Sequence, residues 1–62
     1  MRSRKVIKAL VAAGFEKVAQ KGSHIQFKHP ERKGRVTVPH LQADLPIGTL
    51  KSIERQSGVK LV

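Results

Sequence analysis

Sixty-two residues leave room for a single hydrophobic core, and a domain of this size buries only about 60% of the surface its unfolded chain exposes. Cysteine is absent, which excludes disulfides and thiolate metal sites as staples and fits a reducing compartment. Thirteen Lys and Arg against four Asp and Glu give a formal net charge of +9, so polyanions are the natural partners; nucleic acid leads over a membrane surface, because neutralised phosphates release their condensed counterions.

The chain opens with Arg2, Arg4 and Lys5 ahead of the apolar run Val6–Phe15, a pattern with some likeness to a targeting peptide. Lys8 interrupts that run, and cleavage would remove a quarter of a minimal domain, so the segment reads as structure. Ser3 is an expected N-cap, and Val6, Ile7, Leu10 and Val11 recur at helical spacing, predicting a helix over about Arg4–Ala13. Gly14 falls where a left-handed residue closes a helix. No stretch approaches the roughly 18–20 apolar residues of a membrane span.

Phe15–Gln20 and Ser23–His29 are predicted as strands joined through a two-residue turn, Lys21-Gly22. In that register Gln20 faces Ser23, Val18 faces Ile25 and Glu16 faces Phe27. Alternation then puts Val18, Ile25 and Phe27 on an apolar face, with Lys17, Ala19, His24, Gln26 and Lys28 on a wet, basic one. Glu16 is expected on the face away from His24. Pro30–Gly34 reads as a charged turn and Arg35–Val38 as a third strand, with Val36 and Val38 inward and Arg35 and Thr37 outward. Pro39–Leu45 is expected as a loop. Asp44 offers a helix cap and Pro46 suits a first helical turn, followed by an inward stripe of Ile47, Leu50 and Ile53 and a stop near Gly58. Val59, Leu61 and Val62 are expected to return as a tail on the core. The order α-β-β-β-α predicts an α+β, two-layer domain over residues 1–62, with a three-stranded antiparallel sheet and both helices on one face.

His24 is the sharpest candidate for chemistry, since an imidazole on an open basic face can donate or accept a proton near neutrality. RNA supplies its own nucleophile, the 2′-hydroxyl, so cleavage needs a base for it, an acid for the 5′-oxygen and positive charge around the phosphorane. A His among Lys17, Lys28 and Arg35 meets that minimum. The competing reading is an ordinary exposed histidine in a basic, non-catalytic RNA-binding module. Gly22 is foremost a turn residue, and Ser23 could bond a phosphate or orient His24. His29 before Pro30 reads as structural or incidental; His40, in a loop after Pro39, reads foremost as structural, with contact to an RNA or a partner as the alternative. Three His and four acids show neither an i,i+4 His pair nor a compact ligand cluster, so no metal or other cofactor is expected. Phe15 and Phe27 suit the core, which argues against a base-stacking platform.

Gln20-Lys21-Gly22-Ser23-His24, Phe27-Lys28-His29-Pro30, Val36-Thr37-Val38-Pro39-His40 and Asp44-Leu45-Pro46-Ile47-Gly48-Thr49-Leu50-Lys51-Ser52-Ile53 together span nearly the whole chain. In this order they resemble the HicA family of mRNA interferases, the toxins of HicA–HicB toxin–antitoxin pairs. The resemblance implies a fold similar to the double-stranded-RNA-binding domain, ribosome-independent cleavage of mRNA in the cytoplasm, and His24 in the catalytic position. It further implies a HicB-type antitoxin that masks the toxin, with DNA bound only indirectly through that complex. Gly22, Ser23, Lys28 and Arg35 are the expected substrate-binding residues around His24. Arg4 and Lys5 depart from the more polar or acidic start often seen in the family, a difference of charge and not of site.

Overall fold

The computed structural model describes residues 1–40 and 44–62. Helix α1 spans Ser3–Ala12, strands β1, β2 and β3 span Glu16–Lys21, His24–Lys28 and Val36–Pro39, and helix α2 spans Ile47–Ser57. The strands form one antiparallel sheet in the order β1-β2-β3, giving the predicted α+β arrangement. The expected loop across residues 41–43 lies outside the described residues. Among the described residues no helix is long and apolar enough to cross a membrane.

Alternation on the central strand β2 and its neighbour β3 builds the core. Ile25 and Phe27 of β2 stand opposite Val38 and Val36 of β3, and all four are buried. Residues paired across an antiparallel ladder share a face, so these four form one apolar patch. Val6 and Leu10 of α1 and Leu50 and Ile53 of α2 cover it, with Phe15, Leu45 and Leu61 closing the margins. Phe27, at 1% exposure, is nearly sealed; burial of such a side chain is worth about 1.5–3 kcal/mol. Both aromatic residues are thus core residues, as expected.

The helix ends explain themselves locally. Gly14 takes φ +99°, and the Phe15 amide donates back to the Leu10 carbonyl at 3.0 Å, a left-handed closure that a side chain would resist. Ser3, however, is no cap: it is the first helical residue and is buried beside Val6 and Leu10, and Arg2 occupies the cap position without a side-chain bond. Val11, 55% exposed, turns outward because the inward stripe is narrower than its sequence spacing suggests. Asp44 does not cap α2 either. Its carboxylate accepts from the Met1 amine at 3.0 Å, and Pro46 precedes the helix with extended ψ. Ile47, expected inward, is 64% exposed. Leu50 and Ile53 are the buried apolar residues of α2, with Ser57 continuing the stripe, and the helix stops at left-handed Gly58 as predicted. Beyond it, Leu61 is buried and Val59 packs against the core, while Val62 stays exposed.

The hairpin register differs from the expected one. Lys21 pairs with His24, Gln20 with Ile25 and Ala19 with Gln26, so the two-residue loop is Gly22-Ser23. Gly22 sits at φ +59° as the first loop residue, a conformation that Lys21 would have had to adopt in the predicted turn. A bulge between Lys17 and Ala19 then leaves Val18 unpaired and 45% exposed, and beyond it Lys17 pairs with Phe27 and Glu16 with Lys28. Two expectations fall with this register: Val18 is not in the core, and Lys17 and Glu16 exchange faces.

Candidate nucleic-acid interface and its histidine

The helices cover one face of the sheet and leave the other open. His24, Gln26 and Lys28 of β2 alternate with buried Ile25 and Phe27, so they project from the open face. Their ladder partners define three rows across it. Lys21 and Pro39 flank His24, Ala19 and Thr37 flank Gln26, and Glu16 lies beside Lys28. Extending the β2–β3 register by one step brings Arg35 to the other side of Lys28.

His24 is exposed at the start of the central strand, immediately after the Gly22-Ser23 loop. That end of the sheet is pinned: the His40 amide donates to the Ser23 carbonyl at 2.6 Å, and Gln20 Nε2 donates to the Gly22 carbonyl at 3.1 Å. The loop holding Gly22 and Ser23 is therefore fixed on both sides, which fixes the backbone bearing His24.

The cations divide by distance. Lys21 stands directly across from His24, where paired Cα atoms lie about 4.5–5.5 Å apart. Lys28 is four residues further along the strand, about 13 Å from His24 between Cα atoms. Arg35 does not float free in that outer row. Its Nη1 donates to Gln26 Oε1 at 2.7 Å, drawing the guanidinium toward the middle of the face. Lys17, expected beside His24, instead donates to Gln20 Oε1 at 2.7 Å on the opposite side of β1. Glu16, expected on the far side, shares the open face with Lys28 without closing an ion pair.

The other two histidines are differently employed. His29 is half-buried, its ring meets Phe15 edge-on at 5.1 Å, and its Nδ1 accepts the Glu31 amide at 3.0 Å. A Cβ on Gly14 would lie 2.9 Å from His29 Nε2, so the two residues are mutually fitted. His40 is half-buried, with its Nδ1 shielded from solvent and without a partner among the described residues. Among the described residues no three of His, Asp and Glu stand close enough to hold a metal ion.

Sequence reasoning missed Lys21 on this face, and it placed Gln26 there without foreseeing its bond to Arg35. A Gly-Ser loop was the available signal for Lys21, because glycine in the first loop position makes Lys21 the last paired residue of β1. Nothing in the sequence marks Gln26 as the acceptor for Arg35; that contact depends on the β2–β3 register.

The order and content of these elements agree with a family model described as the HicA toxin of bacterial toxin–antitoxin, which matches residues 3–59. The chain belongs to the HicA toxin family. It is accordingly the toxin of a toxin–antitoxin pair, and a cognate antitoxin is its partner. A search of curated proteins returned no match. The match takes in both helices, all three strands and the whole open face of this HicA chain.

Proposed function

We propose that this HicA toxin is a metal-independent endoribonuclease that cuts mRNA in the cytoplasm, with His24 as general acid/base. One observation carries the reading: among the described residues, which include all three histidines, His24 alone is exposed, and it stands on the open sheet face opposite Lys21. The imidazole takes the proton of the 2′-hydroxyl as that oxygen attacks phosphorus. The bond to the 5′-oxygen breaks, that oxygen leaves with a proton from imidazolium or solvent, and a 2′,3′-cyclic phosphate remains. Lys21 supplies positive charge in the His24 row, and Gly22 and Ser23 shape the loop against which the cleaved nucleotide rests. Lys28, about 13 Å away along the strand, and Arg35, whose guanidinium is drawn to Gln26 midway along the face, bind a flanking phosphate rather than the one being cut. The chain works as a single toxin domain over residues 1–62, and a HicB-type antitoxin masks it, with DNA contacted only through the complex.

The test is purified wild type against His24→Ala, incubated with mRNA and assayed for binding in parallel. The substitution removes an exposed strand residue and opens no core cavity, so the fold survives. Cleavage should fall by about 10²–10⁴-fold, the usual worth of a positioned acid or base, while RNA affinity changes little. Near-wild-type cleavage by folded His24→Ala would remove His24 from the mechanism, whereas binding without cleavage by the wild type would leave the other reading, a basic, non-catalytic RNA-binding module.

A further inference from the structure

The cations of α1 play no part in the site described above. Arg4, Lys5 and Lys8 are exposed, while Ser3, Val6 and Leu10 face the core. At about 100° per residue, Lys8 points almost directly away from that buried stripe, with Arg4 and Lys5 within about 60° on either side. Arg2 stands at the cap position just before them.

This arrangement works against the helix that carries it. The amino end of a helix has positive dipole charge and favours acids, yet the first turn of α1 contains none. Arg4 and Lys8 are a like-charged i,i+4 pair, which also disfavours the helix. The ion pair found among the described residues joins the Met1 amine to Asp44 and relieves none of these side chains. In α2 the comparable pair, Lys51 and Arg55, has Glu54 between its members, and Arg55 lies in the last turn, where a cation is favourable. A minimal domain that retains an uncompensated row of cations has its compensation outside itself.

We propose that the outer face of α1 is a second nucleic-acid contact, which holds the RNA backbone away from the cut site; this rests on RNA being the substrate. Three long, solvent-exposed cations in a row suit a delocalised polyanion, since they converge on no cavity that could select a small ion. The helices lie on the far side of the sheet from His24, and the molecule is 17 Å through its thinnest dimension. A strand confined to the open face therefore does not reach α1, whereas a longer strand passing over the sheet edge engages both. An antitoxin masking His24 would cover the other side, which favours RNA over the antitoxin as the occupant.

The experiment compares Arg4→Gln/Lys8→Gln with its parent, both carrying His24→Ala, so that binding is read without cleavage. Probes are an oligonucleotide of about six nucleotides, near the low end of the roughly 4–16-nucleotide footprints of small single-strand-binding domains, and an mRNA several times longer. On the long RNA the double variant should bind more weakly, and its slope of log affinity against log salt should shrink by about 1.4, the value for two single-strand phosphates. Affinity for the short probe should be unchanged, and the melting temperature should rise because repulsion has been removed. An unchanged slope on long RNA, an equal loss on the short probe, a fall in melting temperature, or weakened antitoxin binding with RNA binding intact would each overturn the proposal. If the parent binds no RNA of either length, it is the RNA reading itself that fails.

Discussion

Gln26 ties the two halves of the open face together. It lies two residues from His24 and two from Lys28 on the same strand, and its Oε1 takes the Arg35 guanidinium at 2.7 Å. Without that acceptor Arg35 would be a solvated side chain beside Lys28, with like charges opposed across the ladder. Gln26→Ala should therefore release Arg35 and weaken RNA binding about two- to fivefold, the equivalent of about 0.5–1 kcal/mol for an exposed charge-assisted bond. The cleavage rate at saturating RNA should hold, because neither residue stands in the His24 row. A double-mutant cycle with Arg35→Ala provides the check: the two losses should fail to add. Strict additivity would mean that the amide contributes nothing through Arg35. His29 and His40 show the contrasting fate of an imidazole, folded into the ends of β2 and β3, where one packs on Phe15 and the other is shielded.

At the scale of elements, what the sequence disclosed depends on which patterns are two-sided. β2 and β3 alternate cleanly because helices cover one of their faces, and their inward residues were read correctly together with the outward placement of His24. β1 is exposed throughout, so burial imposes no pattern on it. Its register is set by the loop and the bulge alone, and misplacing one loop residue moved Val18, Lys17 and Glu16 together. The helix starts were misread for a related reason: Ser3 and Asp44 have the right chemistry for caps, but burial claims the first and the Met1 amine the second. The tail after α2 has a legible anchor in Leu61 and a hidden one in Glu54. That carboxylate accepts the backbone amides of Val62 and Leu61, which together with Lys51 and Lys60 hold its pKa below the ordinary glutamate value. Because the folded pKa is depressed, the stabilisation is fully present above the unfolded value, about 4.3, and is lost as pH falls through the folded one. Hydrogen exchange at the Leu61 and Val62 amides should thus accelerate in acid relative to the core amides. In Glu54→Gln the same amides should be less protected at neutral pH, with the acid-dependent change gone. Equal pH dependence in the two proteins would assign the acid loosening to another group.

On the scale of the whole molecule, the placement of four carboxylates in a +9 chain decides which chemistry is open to it. Asp44 is bound to the Met1 amine, Glu54 holds the tail, Glu31 lies in the turn after β2, and only Glu16 shares the open face with His24. Glu16 pairs with Lys28, four residues from His24, so it stands at the far end of that face, about 13 Å away. A two-metal nuclease requires several converging carboxylates to hold ions about 3.5–4 Å apart, and this distribution supplies at most one near the site. The available route is therefore attack by the RNA's own 2′-hydroxyl, activated by His24, and it predicts both the product and the controls. Cleavage should persist in excess EDTA and leave a 2′,3′-cyclic phosphate, detectable by mass spectrometry of the fragments. RNA carrying 2′-O-methyl or 2′-deoxy at the cut position should resist, while binding with similar affinity because its phosphates are unchanged. Cutting of the 2′-blocked RNA, or activity abolished by EDTA and restored by Mg²⁺, would refute this mechanism even with His24 essential. Glu16→Gln supplies the internal control: it removes the one acid on the face and should leave the cleavage rate unchanged, while strengthening RNA binding slightly by relieving repulsion of the backbone.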